Sequence, residues 1–70
     1  MEYPIYAEQT YRRDGIVEAR ILTAAAAHAL GYEDGGVYTR EGCKVYVDGF
    51  ATRDALDNYL SDLMDCIVID

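Results

Sequence analysis

Between Tyr11 and Ile21 the chain reads Tyr11-Arg12-Arg13-Asp14-Gly15-Ile16-Val17-Glu18-Ala19-Arg20-Ile21. Arg13-Asp14-Gly15 has the chemistry of a three-residue hairpin loop, with glycine at the left-handed position. Upstream, Ile5, Ala7, Gln9 and Tyr11 alternate with Tyr6, Glu8, Thr10 and Arg12. Downstream, Val17, Ala19 and Ile21 alternate with Glu18 and Arg20. Period two predicts a half-buried strand on each side of the turn. A rival reading caps one helix with Asp14 and runs it from Gly15 to Leu30, on a stripe of Val17, Ile21, Ala25 and His28. The β-branched residues Ile16, Val17 and Ile21, together with the turn chemistry, favour the hairpin.

A similar stretch recurs at Tyr38-Thr39-Arg40-Glu41-Gly42. Val37 and Thr39 precede this turn, which again reads as a three-residue loop. Cys43, Val45 and Val47 follow it, alternating with Lys44, Tyr46 and Asp48. Each hairpin leads to a threonine suited to cap a helix, Thr23 or Thr52. The first helix is predicted over 24–30, built on Ala24 to Ala27 and stopped by Gly31. The second starts at Thr52, and Leu56, Tyr59, Leu60, Leu63 and Met64 form its apolar stripe. Phe50, just before the cap, is placed to fold back onto it. The expectation is an α+β fold of order ββαββα: a four-stranded antiparallel sheet with two helices on one face. Cys66-Ile67-Val68-Ile69-Asp70 reads either as a short terminal strand or as a helix tail docked on a partner.

Composition narrows the function classes. Seventy residues predict one domain, and 51% apolar residues are too many for a disordered tail. So short a chain buries only about 60% of its unfolded surface, which makes a monomer marginal. Thirteen acidic against six basic residues give a net charge of −7, which argues against direct binding to nucleic acid or to an anionic membrane. No apolar run approaches the roughly 20 residues of a membrane span. Met1-Glu2-Tyr3-Pro4 is acidic where a secretion signal is basic, so a cytoplasmic protein is expected. Cys43 and Cys66 lack the spacing of a disulfide framework or metal site and read as reduced core or interface residues. His28 has no serine or cysteine at a local catalytic spacing and reads as structural or surface. There is no phosphate-binding glycine motif, and Glu33-Asp34 lacks the oxygen-rich loop of a calcium site. A non-enzyme without cofactor or metal is expected.

The charges are segregated. On the second helix Asp54, Asp57, Asp62 and Asp65 fall within roughly 140° of arc, opposite the apolar stripe. Solubility explains Asp54, which complements the helix dipole. It explains Asp62 and Asp65 badly, because carboxylates in the last turns oppose the dipole by about 0.3–1 kcal/mol. A surface that presents fixed negative charge to a partner accounts for them better. Arg12, Arg13, Arg20, Arg40 and Lys44 all fall in the hairpins, with Tyr6, Tyr38 and Tyr46 on an outward parity. That pattern suits either a protein-contact surface or ordinary cross-strand pairing, such as Arg20 with Glu8.

Val45-Tyr46-Val47-Asp48-Gly49-Phe50-Ala51-Thr52-Arg53-Asp54-Ala55-Leu56 resembles the strand-to-helix join of small three-stranded DNA-binding modules, such as integrase arm-binding domains. Those modules are basic on the sheet face, whereas this chain is acidic overall. In size, charge and element order the whole chain is similar to phage-encoded anti-CRISPR proteins. That resemblance implies a non-enzymatic inhibitor that occupies the nucleic-acid-binding surface of its target in the host cytoplasm. The expected partner-binding residues are Asp54, Asp57, Asp62 and Asp65, with Glu33, Asp34 and Asp48, against a basic protein or nucleoprotein complex. The alternatives are a homodimeric assembly module that pairs through Ile67-Val68-Ile69 and an antitoxin-like partner of a basic toxin.

Overall fold

Both hairpins form. A computed structural model describes residues 3–63 and 66–69, with β1 (Ile5–Tyr11), β2 (Val17–Thr23), α1 (Ala24–Ala29), β3 (Gly36–Arg40), β4 (Cys43–Phe50), α2 (Arg53–Ser61) and β5 (Cys66–Ile69). The first turn is the three-residue loop the sequence announces. Arg12 N–H donates to the Ile16 carbonyl at 2.9 Å, Gly15 N–H donates to the Arg12 carbonyl at 3.2 Å, and Gly15 has φ +90°. The long-helix alternative for residues 15–30 is thereby excluded. The second turn is shorter than expected. Arg40 pairs with Cys43, which leaves Glu41 and Gly42 at φ +54° and +79°. Two left-handed residues make a type I′ turn, whose twist matches that of the flanking strands.

The described residues form one sheet in the order β3-β4-β1-β2-β5. Its first four strands are antiparallel neighbours, and β5 adds to β2 in parallel, with Val17 beside Cys66 and Arg20 beside Ile69. The expected four-stranded antiparallel sheet is therefore a five-stranded mixed one. The pairings make β5 parallel to β4, and parallel strands need a crossover. α2 supplies it.

The helices lie on opposite faces, not on one. Alternate residues of a strand point to opposite sides. Tyr6 packs with Leu22, Val45, Val47 and Ala27 of α1, whereas Ala7 packs with Ala19 and with Leu56 and Leu60 of α2. Side-chain volumes explain the choice. The alanine-rich α1 lies over the large Tyr6, and the leucines of α2 lie over the small Ala7 and Ala19, so small residues meet large ones in each layer. As a result β1 is buried on both faces from Tyr6 to Gln9.

Both caps are made as the sequence suggests. Thr23 Oγ1 accepts from Ala26 N–H and Thr52 Oγ1 from Ala55 N–H, each at 3.1 Å. Thr52→Ala is expected to cost about 1 kcal/mol, read as a lower urea midpoint with an unchanged slope. An unchanged midpoint would mean that the cap does not hold α2. Phe50 packs into the core under α2, with its ring centroid 5.3 Å from that of Tyr59. No described helix is long and apolar enough to cross a membrane.

Candidate partner-binding surface

α2 buries Leu56 and Leu60 and turns its other side to solvent, where Asp54 and Asp57 are exposed. Asp62 is exposed too, as the residue that ends the helix. Helix geometry puts Asp54 and Asp62 roughly 12 Å apart along the axis. The helix stops at Ser61, so the four-carboxylate row expected along it is shorter; Asp65, and Met64 of the apolar stripe, lie outside the described residues. One member of the row is paired, as the i, i+4 spacing of Arg53 and Asp57 allows. Arg53 Nε donates to Asp57 Oδ1 at 2.9 Å, an exposed pair one helical turn apart. Asp54 and Asp62 have no cation partner among the described residues.

The other acidic candidates are not part of that face. Glu33 and Asp34 lie in the connection between α1 and β3, where Asp34 Oδ1 accepts from Gly49 N–H at 2.8 Å. Asp48 is half-buried on the sheet face that carries α2, and its Oδ2 accepts from Gln9 Nε2 at 3.3 Å. Gln9 is fully buried and fully engaged: its amide also donates to the Ala7 carbonyl, and its Oε1 accepts from the Tyr59 hydroxyl at 3.2 Å. Asp34 and Asp48 thus brace the fold, while Asp54, Asp57 and Asp62 face water.

By its alternation along β1, Glu8 reads as an ordinary cross-strand partner of Arg20. Glu8 is 2% exposed in the centre of the sheet. The anticipated Arg20 pair is present at 3.0 Å, and Arg40 adds a second guanidinium at 3.4 Å. The Tyr32 hydroxyl also donates to Glu8 Oε2. Arg20 Nε is buried without a hydrogen-bond partner among the described residues. The signal for this cluster was the Glu8–Arg20 register; its depth depends on α1 and Tyr32 covering that face. The basic residues are therefore largely committed to intramolecular pairs, with Arg12 also bonded to Asp14 and Glu18. Tyr6, assigned an outward parity, is buried beneath α1. Cys43 and Cys66 are free thiols, both half-buried, and burial pushes the Cys66 thiol above its ordinary pKa.

Two tyrosines give the fold a pH signature. Burial raises Tyr32 above its ordinary value of 10.0, and its hydrogen bond to Glu8 raises it further. Burial, and then the charge of Asp48, raises Tyr59 in the same way. A folded-state pKa above the unfolded one means that both neutral hydroxyls stabilise the native state. Their contribution is complete below about pH 10 and disappears as pH rises through the folded values. Urea midpoints are expected to hold to about pH 9 and to fall above pH 10, less steeply in Tyr32→Phe and Tyr59→Phe. A fall as steep in both variants as in the wild-type protein would contradict this.

Comparison with protein families, curated proteins and solved structures finds no match to this chain.

Proposed function

We propose that the protein is a non-enzymatic binding protein of the inhibitor type, which presents the outer face of α2 to a basic, nucleic-acid-binding protein partner. The observation that carries this reading is the exposure of Asp54, Asp57 and Asp62 on the side of α2 opposite its buried leucines, with Asp54 and Asp62 unneutralised among the described residues. A helix end chosen for stability would carry cations, not Asp62. The face offers three carboxylates over roughly 12 Å of axis, one per roughly 6 Å and one of them paired with Arg53, whereas a strand of duplex DNA carries one charge per roughly 3.4 Å. It therefore imitates the sign and the linear arrangement of a phosphate strand at lower density, enough to compete for a groove of lysines and arginines. Asp65 extends the same row in sequence.

The double substitution Asp57→Lys with Asp62→Lys tests the reading. Both positions are exposed, so the fold is expected to keep its stability within about 1 kcal/mol. Binding to the partner is expected to fall by at least about a hundredfold, and wild-type binding to weaken steeply with salt. A double variant that binds normally would remove the acidic face from consideration.

A second reading has its own observation. β5 is an edge strand whose Ile67, Val68 and Ile69 are 45%, 53% and 39% exposed. Exposed apolar edges favour pairing with another strand, and a second copy is the simplest source. Ile67→Lys, which leaves the β2 pairing in place, should convert a dimer to a monomer by light scattering; a wild-type monomer would end this reading.

A further inference from the structure

α2 packs on β1, on Ala19 of β2 and on the Phe50 end of β4, and it leaves the rest of β4 on the same sheet face open. There β4 presents Lys44, Tyr46 and Asp48, β1 adds Tyr11 and Gln9, and Tyr59 of α2 stands as the wall. Together they line an open groove of about 570 Å³. Its floor is aromatic, with the Tyr11 and Tyr46 rings edge to face at 5.0 Å. Its two ends carry opposite charge. At the turn end Lys44 is exposed, and the Arg13 guanidinium lies over Gly42, a lining residue. Neither cation has an ion pair among the described residues. At the other end lies Asp48, with Asp34 bonded to the adjacent Gly49.

The groove is also set in advance. Gln9 accepts from Tyr59 and donates to Asp48, so one buried amide fixes both the wall and the acidic end. Groups already held in place lose less entropy on binding. Lys44 and Asp48 are four residues apart on one strand, about 13 Å. An extended peptide places its own residues i and i+4 at the same separation and on one side. A compact metabolite does not reach both ends.

We propose that this groove binds an extended segment of a partner protein with the pattern acidic–x–apolar–x–basic. The acidic side chain meets Lys44 and Arg13, the apolar one lies on Tyr46 and Tyr11, and the basic one meets Asp48. Tyrosine and arginine are the residue types that dominate such contacts. The groove is distinct from the outer face of α2 and stands whether or not that face binds anything.

The test is a titration of ¹⁵N-labelled protein with acetyl-Glu-Ser-Leu-Ser-Arg-amide, followed by NMR. Saturable shifts are expected at Tyr11, Lys44, Tyr46 and Asp48. Lys44→Glu, at an exposed position, should weaken this peptide roughly five- to tenfold. The same variant should recover affinity for the peptide with Lys in place of its Glu. The Asp57→Lys/Asp62→Lys protein should bind the first peptide as wild type does, which separates failure here from failure of the α2 reading. The proposal is overturned by shifts absent up to about 10 mM peptide, by shifts centred on α2's outer face, or by indifference to Lys44→Glu.

Discussion

Glu8→Gln is expected to destabilise the protein by about 3 kcal/mol, read as a shift of the urea midpoint at pH 7. Glu8 is 2% exposed, and it is the shared acceptor for Arg20, Arg40 and Tyr32. Glutamine keeps the shape and loses the charge, so two guanidinium groups are left facing each other across a neutral amide. Both arginines keep access to water, with side chains 35% and 50% exposed, and they rehydrate in part. That places the loss at the lower end of the range of about 3–5 kcal/mol for breaking a buried pair. Replacing Arg20 by Met in the Glu8→Gln background should recover part of the loss, because the repulsion is relieved. A Glu8→Gln protein within about 0.5 kcal/mol of wild type would show that the cluster is not holding β1 to β2.

Leu56→Ala is expected to cost about 3 kcal/mol as well, for a different reason. Leu56 is fully buried over Ala7 and Ala19, which are fully buried themselves. Small residues beneath a deleted side chain have nothing to extend into the space, and the sheet cannot rise to close it. The cavity therefore persists, and the cost lies well above simple transfer. A 70-residue domain has roughly 4–10 kcal/mol of stability in all, so this one substitution removes a large share. Calorimetry should record a drop in Tm of more than about 10 °C. A drop of a degree or two would mean that α2 is loosely seated on β1 and β2. In that case the acidic face would not be held rigid either.

The elements governed by local chemistry were legible in the sequence. Arg13-Asp14-Gly15 set the first turn, Thr23 and Thr52 set the helix starts, and the alternation after Gly42 set β4. The relations between elements were not. Period two placed Tyr6 and Ala7 on different faces of β1 but did not say that both faces would be covered. That follows from which helix matches which volume, and α1 and α2 sort themselves by small against large. The parallel seat of β5 beside β2 was equally hidden, since Cys66–Ile69 carries no mark of its neighbour. Of the candidate site, the side of α2 that bears Asp54 and Asp57 was readable from 100° periodicity. The diversion of Asp34 to Gly49 and of Asp48 to Gln9 was not, because each bond joins residues far apart in sequence.

What the outer face of α2 binds decides the function. The measurement that reaches this most directly is a paired pull-down from bacterial lysate, using the tagged protein and its Asp57→Lys/Asp62→Lys form, washed at low and then high salt. The wild-type protein is expected to retain a basic, nucleic-acid-binding protein at low salt and to release it at high salt, and the variant to retain none. Equal retention by both forms, undiminished by salt, would contradict that reading.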